Sequence, residues 1–500
     1  MRLFATNAGR ARARLVKAGA ALVAAALIAG CGANYRPVIT PITPSGPAAQ
    51  PTSYAVVISA PSPTSAGVAT IIDYAGDTVM AQAPIGPGPS AFTIDQLGAT
   101  GYTLNSDGTL TNFPISTSLQ QKQVLYSTVP TSSQIVNLMA PTAGLWAADL
   151  NNNAVDIFRS SPETFQLAVP VAPMPVAVVG SPQLAGQREY AISQLTSDPM
   201  ACNTSPTTQP DGLATPIEIS SDATDPPIQL GKCPVYAVQS PNLKRLFVLN
   251  RGDDTITVIN SQNNTLDACT PFTSQSGRTV TCHPTLPLSL SAVQATGITP
   301  PNGTSGMPQI AGPVYAEYNA ATSQIIVSDY DGGTVSVIDV SLDQYGNDSA
   351  TFGTTYTIPV GKDPASVTAL YDGSRAYTAN QADGTVSVVN LVSHTLEKTL
   401  TVVGHPRTVV STQNSLYGKV YVASPDSPYL TILQTTSDLV DTTVLLKGNV
   451  VDVRTTTQNG DRGNTNVTSR VPGFGEPCNL PGIPTPTGTQ TPLQACQAMP

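Results

Sequence analysis

What most narrows the fold of this chain is a phrase that it repeats. Leu246-Phe247-Val248-Leu249-Asn250 leads through Arg251-Gly252-Asp253-Asp254 into Thr255-Ile256-Thr257-Val258-Ile259-Asn260. The same order returns at 326–339, at 376–390 and at 420–433, with weaker copies at 102–113 and 145–158. Each copy is an alternating apolar run, a tight turn of Asp, Gly or Asn, and a second alternating run. Period-two alternation puts one face of a strand inward, and Asp, Asn and Gly tolerate the backbone that a tight turn needs, so each copy predicts a β-hairpin.

From Thr334 to Thr385 to Tyr429 the copies recur after 51 and 44 residues. A unit of that length holds four strands, the content of one propeller blade. A second marker precedes many hairpins. Pro89, Pro175, Pro234, Pro313, Pro364 and Pro406 each open another short strand. Proline fits a strand's first position, where its missing N–H costs little. These strands would be innermost, with starts near 89, 133, 175, 234, 313, 364 and 406. Residues 54–85 supply only three strands, and 449–455 supply one more. Shared between the termini they would close a split blade, so the expectation is eight blades, with seven the alternative.

Arg375-Ala376-Tyr377-Thr378-Ala379-Asn380, followed by Asp383-Gly384-Thr385-Val386-Ser387-Val388-Val389-Asn390, resembles the YVTN-type β-propeller repeat. The resemblance is strong over about 240–450 and diffuse over 54–230. It implies an all-β propeller and an envelope location. It implies no reaction.

Composition agrees with strands and turns. Charged residues are 11% of the chain, where soluble domains usually carry about a quarter, and Gly 39 and Pro 45 are high counts. Residues 1–30 hold five of the 23 basic residues and no acid, so the remainder carries 18 bases against 32 acids, a net charge of −14. Such a surface repels phosphate backbones, and nucleic acid is excluded as an expected partner.

The first thirty residues read as an address. Arg10 to Lys17 are basic, and Ala18 to Ala29 are apolar but too short for a bilayer core that needs about 20 residues. Leu27-Ile28-Ala29-Gly30-Cys31 is similar to the bacterial lipobox. That resemblance implies cleavage before Cys31 and lipid attachment to its thiol. Gly32, in place of Asp, points to the outer membrane. Domain expectations are therefore a signal peptide at 1–30, a lipidated Cys31 with a Pro/Ser/Thr-rich tether at 31–52, a propeller at 53–455 and a Pro/Gly-rich tail at 456–500 that lies on the body or is partly disordered.

Six further cysteines, Cys202, Cys233, Cys269, Cys282, Cys478 and Cys496, suit an oxidising compartment. Fifteen pairings are open. Proximity favours Cys202–Cys233, Cys269–Cys282 and Cys478–Cys496, each closing a loop in an insertion or the tail. Residues 196–212 and 261–311 are long insertions, which propellers carry on one face, often the binding face.

Chemistry-bearing residues are sparse. His283, His394 and His405 have no metal-ligand spacing, and no motif calls for a cofactor. Asp253, Asp254, Asp331, Asp383 and Asp426 fall in hairpin turns, where Asp is a turn former. Arg251-Gly252-Asp253 matches an adhesion tripeptide but occupies a variable turn. Trp146 stands at a core position. Glu189, Glu317, Arg407 and His405 are the candidates for a polar cluster at a channel mouth, scattered over different blades. Two functions remain. One is a lipid-anchored, non-enzymatic binding or structural module of the envelope, with a protein or glycan partner on a propeller face. The alternative is a propeller hydrolase or oxidoreductase of the lactonase or quinoprotein type.

Overall fold

The computed structural model describes residues 53–456 apart from 142–143, 160–163, 181–187, 199, 276, 289–310 and 413–414, together with 468–471, 484–485 and 488–489. Cys31, Cys478 and Cys496 lie outside the described residues, as do the leader and the tether.

Eight four-stranded antiparallel blades form a β-propeller. Blade 1 is split: Tyr54–Ala60, Ala66–Asp73 and Thr78–Pro87 come from the start of the body, and Asn449–Thr455 from its end. The inner strands of blades 2 to 8 are Pro89–Ile94, Ile135–Met139, Pro175–Gly180, Pro234–Gln239, Pro313–Asn319, Pro364–Ala369 and Thr408–Ser411. Asn449–Thr455 completes the ring as the inner strand of blade 1, and eight rather than seven is the count.

Burial follows position in the blade. The inner strand Pro234–Gln239 and its neighbour Arg245–Asn250 are buried throughout. The outermost strand of blade 7, Thr395–Thr401, is almost wholly exposed and carries Glu397 and Lys398. Charges on an edge strand discourage pairing with another chain. Trp146, Tyr190, Tyr236, Tyr377 and Tyr421 are fully buried between blades.

The entry prolines have a structural consequence. In blades 2, 4, 5, 6 and 7 the register slips by one residue just after Pro89, Pro175, Pro234, Pro313 and Pro364. Blade 3 slips at the same place after Ile135, and blade 1 slips between Ile58 and Ser59. A bulge bends a strand and re-aims the side chains beyond it. Every inner strand with this bulge thus presents an equivalent residue to its neighbours.

The hairpin turns also do a specific job. Asp253 accepts the Lys232 N–H at 3.1 Å, Asp383 the Lys362 N–H at 2.7 Å, and Asp426 the His405 N–H at 2.8 Å, each across 21 residues. The turn carboxylates therefore also fasten the segment that enters the inner strand of their own blade. A backbone N–H left without a partner there would be costly.

Candidate functional site

Register identifies the residues at one level of the central channel. Tyr236 pairs with Leu249 just past the bulge. The same place is held by Ala91, Asn137, Ala177, Tyr315 and Ser366, and in blade 1 by Asp452, opposite Ile58. Among the described residues, every inner strand except Ile135–Met139 has one edge without a strand partner, and the polar side chains at this level bond to the neighbouring blade. Asn137 Oδ1 accepts the Val178 N–H of the next blade at 2.8 Å. Ser366 Oγ accepts the Val409 N–H at 3.0 Å and donates to the Arg407 carbonyl at 2.8 Å. Between blades 5 and 6 the device is aromatic: the Tyr236 and Tyr315 rings stack at 4.9 Å.

Blade 1 brings charge to this level. Arg454 Nη2 donates to Asp452 Oδ2 at 2.9 Å, with the two residues only 5% and 2% exposed. Burial pushes the Arg454 guanidinium down. The Asp452 carboxylate and the Tyr315 and Tyr236 phenols outweigh it, and the net shift is upward. In a ring of eight, blade 5 stands opposite blade 1, so Arg454 is felt by tyrosines from across the channel.

The chain also returns to the channel after the ring has closed. Thr468–Arg470 pairs antiparallel with the inner edge of Ile135–Met139, in register Thr468 to Met139 and Arg470 to Asn137. Val471 N–H continues the ladder to the Val136 carbonyl at 2.9 Å. Sequence reading missed this strand within the tail. Three paired residues are too short for alternation to show, and only the β-branched Val467-Thr468 and Val471 hinted at it.

The sequence candidates are dispersed. Glu317 and Arg407 are buried at the inner strands of blades 6 and 8, 4% and 7% exposed. Glu189 is fully buried on Arg188–Ser193, the second strand of blade 4, and both carboxyl oxygens lack a hydrogen-bond partner. Burial alone pushes its pKa well above the usual carboxylate range. His405 Nδ1 lies 2.6 Å from Asp426 Oδ2, and His394 stacks on Tyr356 with burial lowering its pKa.

Both insertions are fastened by disulfides, Cys202–Cys233 and Cys269–Cys282. Arg251 ties the first one down. Its guanidinium holds Asp331 of blade 6 through two bonds, at 2.7 and 2.9 Å, and donates to the Cys202 carbonyl at 2.6 Å. With 3% exposure, Arg251 is not presented as part of an adhesion tripeptide.

The second insertion builds a charged cluster at the opposite end of the strands, away from the channel. Arg245 Nε meets Asp267 Oδ2 at 3.0 Å, and Arg245 Nη2 meets Asp348 Oδ1 at 3.3 Å. His283 Nδ1 lies 2.8 Å from Asp348 Oδ2, and its ring stacks on Phe352 at 5.3 Å. Burial raises Asp267 to about 6 against the pull of Arg245. Among the described residues, no group of three or more His, Cys, Asp or Glu is arranged to hold a metal ion.

No family model matches the chain, and neither does any curated protein. Solved structures do. Apo AztD from Citrobacter koseri is similar with a TM-score of 0.52 and 12% identity, over 81% of this chain and 97% of that one. Dihydro-heme d1 dehydrogenase NirN in complex with DHE is similar with a TM-score of 0.53 and 14% identity, over 82% of this chain and 77% of that one. What they share with this chain is the propeller. At such identities the likeness carries the fold and no function.

Proposed function

We propose that this protein is an exported propeller, anchored by lipid at Cys31 to the outer membrane, that acts as a non-enzymatic binding or structural module of the cell envelope. The carrying observation is how the channel is used. Its inner level is taken up by the protein's own buried Asp452–Arg454 pair and stacked tyrosines, and one inner edge by its own strand Thr468–Arg470. Contact surface is left to the faces, where the disulfide-fastened insertions stand. The disulfides support export, since reducing compartments seldom keep them. Among the described residues no helix is long and apolar enough to cross a membrane.

The test is fractionation of the full chain and its Cys31→Ser variant in a Gram-negative host, with inner and outer membranes separated on a density gradient. The native chain is expected in the outer membrane and the variant in the soluble envelope fraction. A variant that stays membrane-bound overturns the anchor.

The second reading is a propeller hydrolase or oxidoreductase of the lactonase or quinoprotein type. NirN, a dehydrogenase, is an example of the fold bearing an activity. The observation on its side is the meeting of His283, Asp348 and Arg245. It predicts turnover of a lactone panel that His283→Ala abolishes, or a cofactor retained on purification. The binding-module reading predicts neither.

A further inference from the structure

The segment that follows Cys31 reaches the propeller at Tyr54, and strand order fixes the face on which it does so. Asn449–Thr455 is the inner strand of blade 1, and Tyr54–Ala60 pairs with it antiparallel as the second strand. Tyr54 N–H donates to Thr456 Oγ1 at 2.8 Å, and Thr456 N–H donates to the Tyr54 carbonyl at 2.9 Å. The entry point therefore stands where the other blades turn from their first strand to their second. In antiparallel blades the turns from third to fourth strand share that face.

This face is apolar around the point of entry. On one side, the first turn of blade 2 exposes Leu97 by 66%. That turn lies against the entry itself, since a Cβ on Gly98 would come within 3.0 Å of the Thr456 Cβ. On the other side, the first turn of blade 8 exposes Leu416 by 65% and Tyr417 by 79%. Just beyond it Lys419 pairs with Asp77 of blade 1, and just before it the Ser415 carbonyl accepts from Arg375 Nη2 of blade 7 at 3.2 Å. Blade 7 adds Tyr371 in its first turn and Val392 in its third, both exposed. The apolar tips thus run over blades 7, 8 and 2, with the entry in blade 1 between them. In blades 5 and 6 the same first turn carries Asn242 and Lys244, and Ala321 and Thr322, with no large apolar side chain exposed.

Scattered leucines and tyrosines on a surface need no explanation, but here they gather at the one place where the chain comes in from Cys31. Tyr54 follows Cys31 by 23 residues, and a Pro-rich segment of that length reaches up to about 70 Å. An anchor so long leaves the orientation of the body to its own surface. Tethering also keeps that surface at a high effective concentration beside the bilayer, so that a small apolar patch suffices. Tyrosine suits the headgroup level, with an apolar ring and a polar tip, and leucine suits the acyl boundary. Asp95 and Asp372 stand in the turns of Leu97 and Tyr371, so an anionic lipid surface would be repelled.

From this placement we infer that the face carrying Leu97, Tyr371, Val392, Leu416 and Tyr417 rests on a zwitterionic lipid surface, with the opposite face turned away from it. The inference rests on the lipid anchor at Cys31 and gives the anchored propeller an orientation. The opposite face has exposed apolar side chains of its own, Val403, Tyr429 and Leu445, but they stand at the far end of the strands from Tyr54.

The full lipidated chain would be reconstituted into phosphatidylcholine vesicles with brominated acyl chains, which quench a tryptophan that reaches them. Tyr417→Trp reports the inferred face and Tyr429→Trp the opposite one, over a common background from the fully buried Trp146. Tyr417→Trp emission above that background is expected to fall at least twofold, and Tyr429→Trp emission to stay unchanged. Leu97→Asp with Leu416→Asp should abolish the quenching of Tyr417→Trp, while the chain still floats with the vesicles and melts as before, since both leucines are exposed. Quenching at Tyr429→Trp as strong as at Tyr417→Trp, quenching at neither, or quenching that survives the two aspartates overturns the inference. Added phosphatidylglycerol should weaken the Tyr417→Trp quenching, and quenching that it leaves unchanged overturns the preference for a zwitterionic surface. A chain that floats without quenching loses the orientation and keeps the anchor, whereas a chain that does not float loses both.

Discussion

Asp329 accepts the Ser336 hydroxyl at 2.6 Å in the position where, one blade on, Asn380 donates to Ser387 at 2.9 Å. Asn250 and Asn105 make the same link in blades 5 and 2, to Thr257 and Thr111. The asparagine of the repeat therefore ties the second strand of a blade to its third. Blade 6 makes the tie with a carboxylate that is fully buried.

That exchange has a pH signature. Burial raises the Asp329 pKa to about 7, against the pull of Ser336 and Thr334. A raised folded-state value means that stability is fully present below the unfolded carboxylate pKa and is lost as pH rises through about 7. Asp329→Asn restores the neutral link of the other blades. It should raise stability at pH 8 by on the order of 4 kcal/mol and change little at pH 4. Thermal melts of both proteins from pH 4 to 8 check this. A difference that does not grow with pH would falsify the assignment.

Glu189 makes a sharper case, because neither carboxyl oxygen has a partner. Its shift has the same sign, so ionisation costs stability as pH rises. Room for the carboxylate depends on Gly180, since a Cβ at that glycine would come within 1.9 Å of Glu189 Oε2. Glu189→Gln keeps the shape and removes the charge. The two proteins should melt together at pH 4 and separate toward pH 8, with the variant higher. Equal melting at pH 8 would mean that the carboxyl finds a partner in solution.

The ring was legible in the sequence because each blade writes its own alternation and turn locally. Pro234 and Pro364 mark inner strands wherever they occur, and proximity favours the Cys202–Cys233 and Cys269–Cys282 pairs that the fold makes. Relationships created only by closing the ring were not legible. Asp452 and Arg454 lie in a short closing run with no repeat around them, yet closure faces them toward Tyr236 and Tyr315. Turn residues were half legible: Asp383 reads as a turn former, but its bond to Lys362 needs the blade to be folded. Lys244 looks like any surface lysine until Ser323 and Tyr318 of the next blade complete a cavity around it.

The Cys202–Cys233 disulfide closes a loop over a sequence separation of 31, worth about 4 kcal/mol in the chain-entropy account. Arg251 also fixes this loop, through the Cys202 carbonyl. Cys202→Ala with Cys233→Ala should therefore lower the melting temperature but leave the insertion docked. Adding Arg251→Met should release it, seen as new protease cleavage between 196 and 210. Cleavage there in the disulfide variant alone would show that Arg251 does not hold the loop.

Arg454 offers the most direct test of the channel. Its guanidinium is buried with Asp452 and is raised by that carboxylate and by Tyr315 and Tyr236. Removing one member of a buried pair strands the other, at a cost of about 3 to 5 kcal/mol, whereas replacing both with apolar residues is often close to neutral. Arg454→Met should therefore destabilise the propeller strongly, and Arg454→Met with Asp452→Leu should recover most of the loss. Denaturant unfolding of the two single variants and the double variant measures the coupling. Additive losses would mean that Arg454 is held by its packing alone. Recovery in the double variant would mean that the two charges depend on each other but are not what keeps the ring folded.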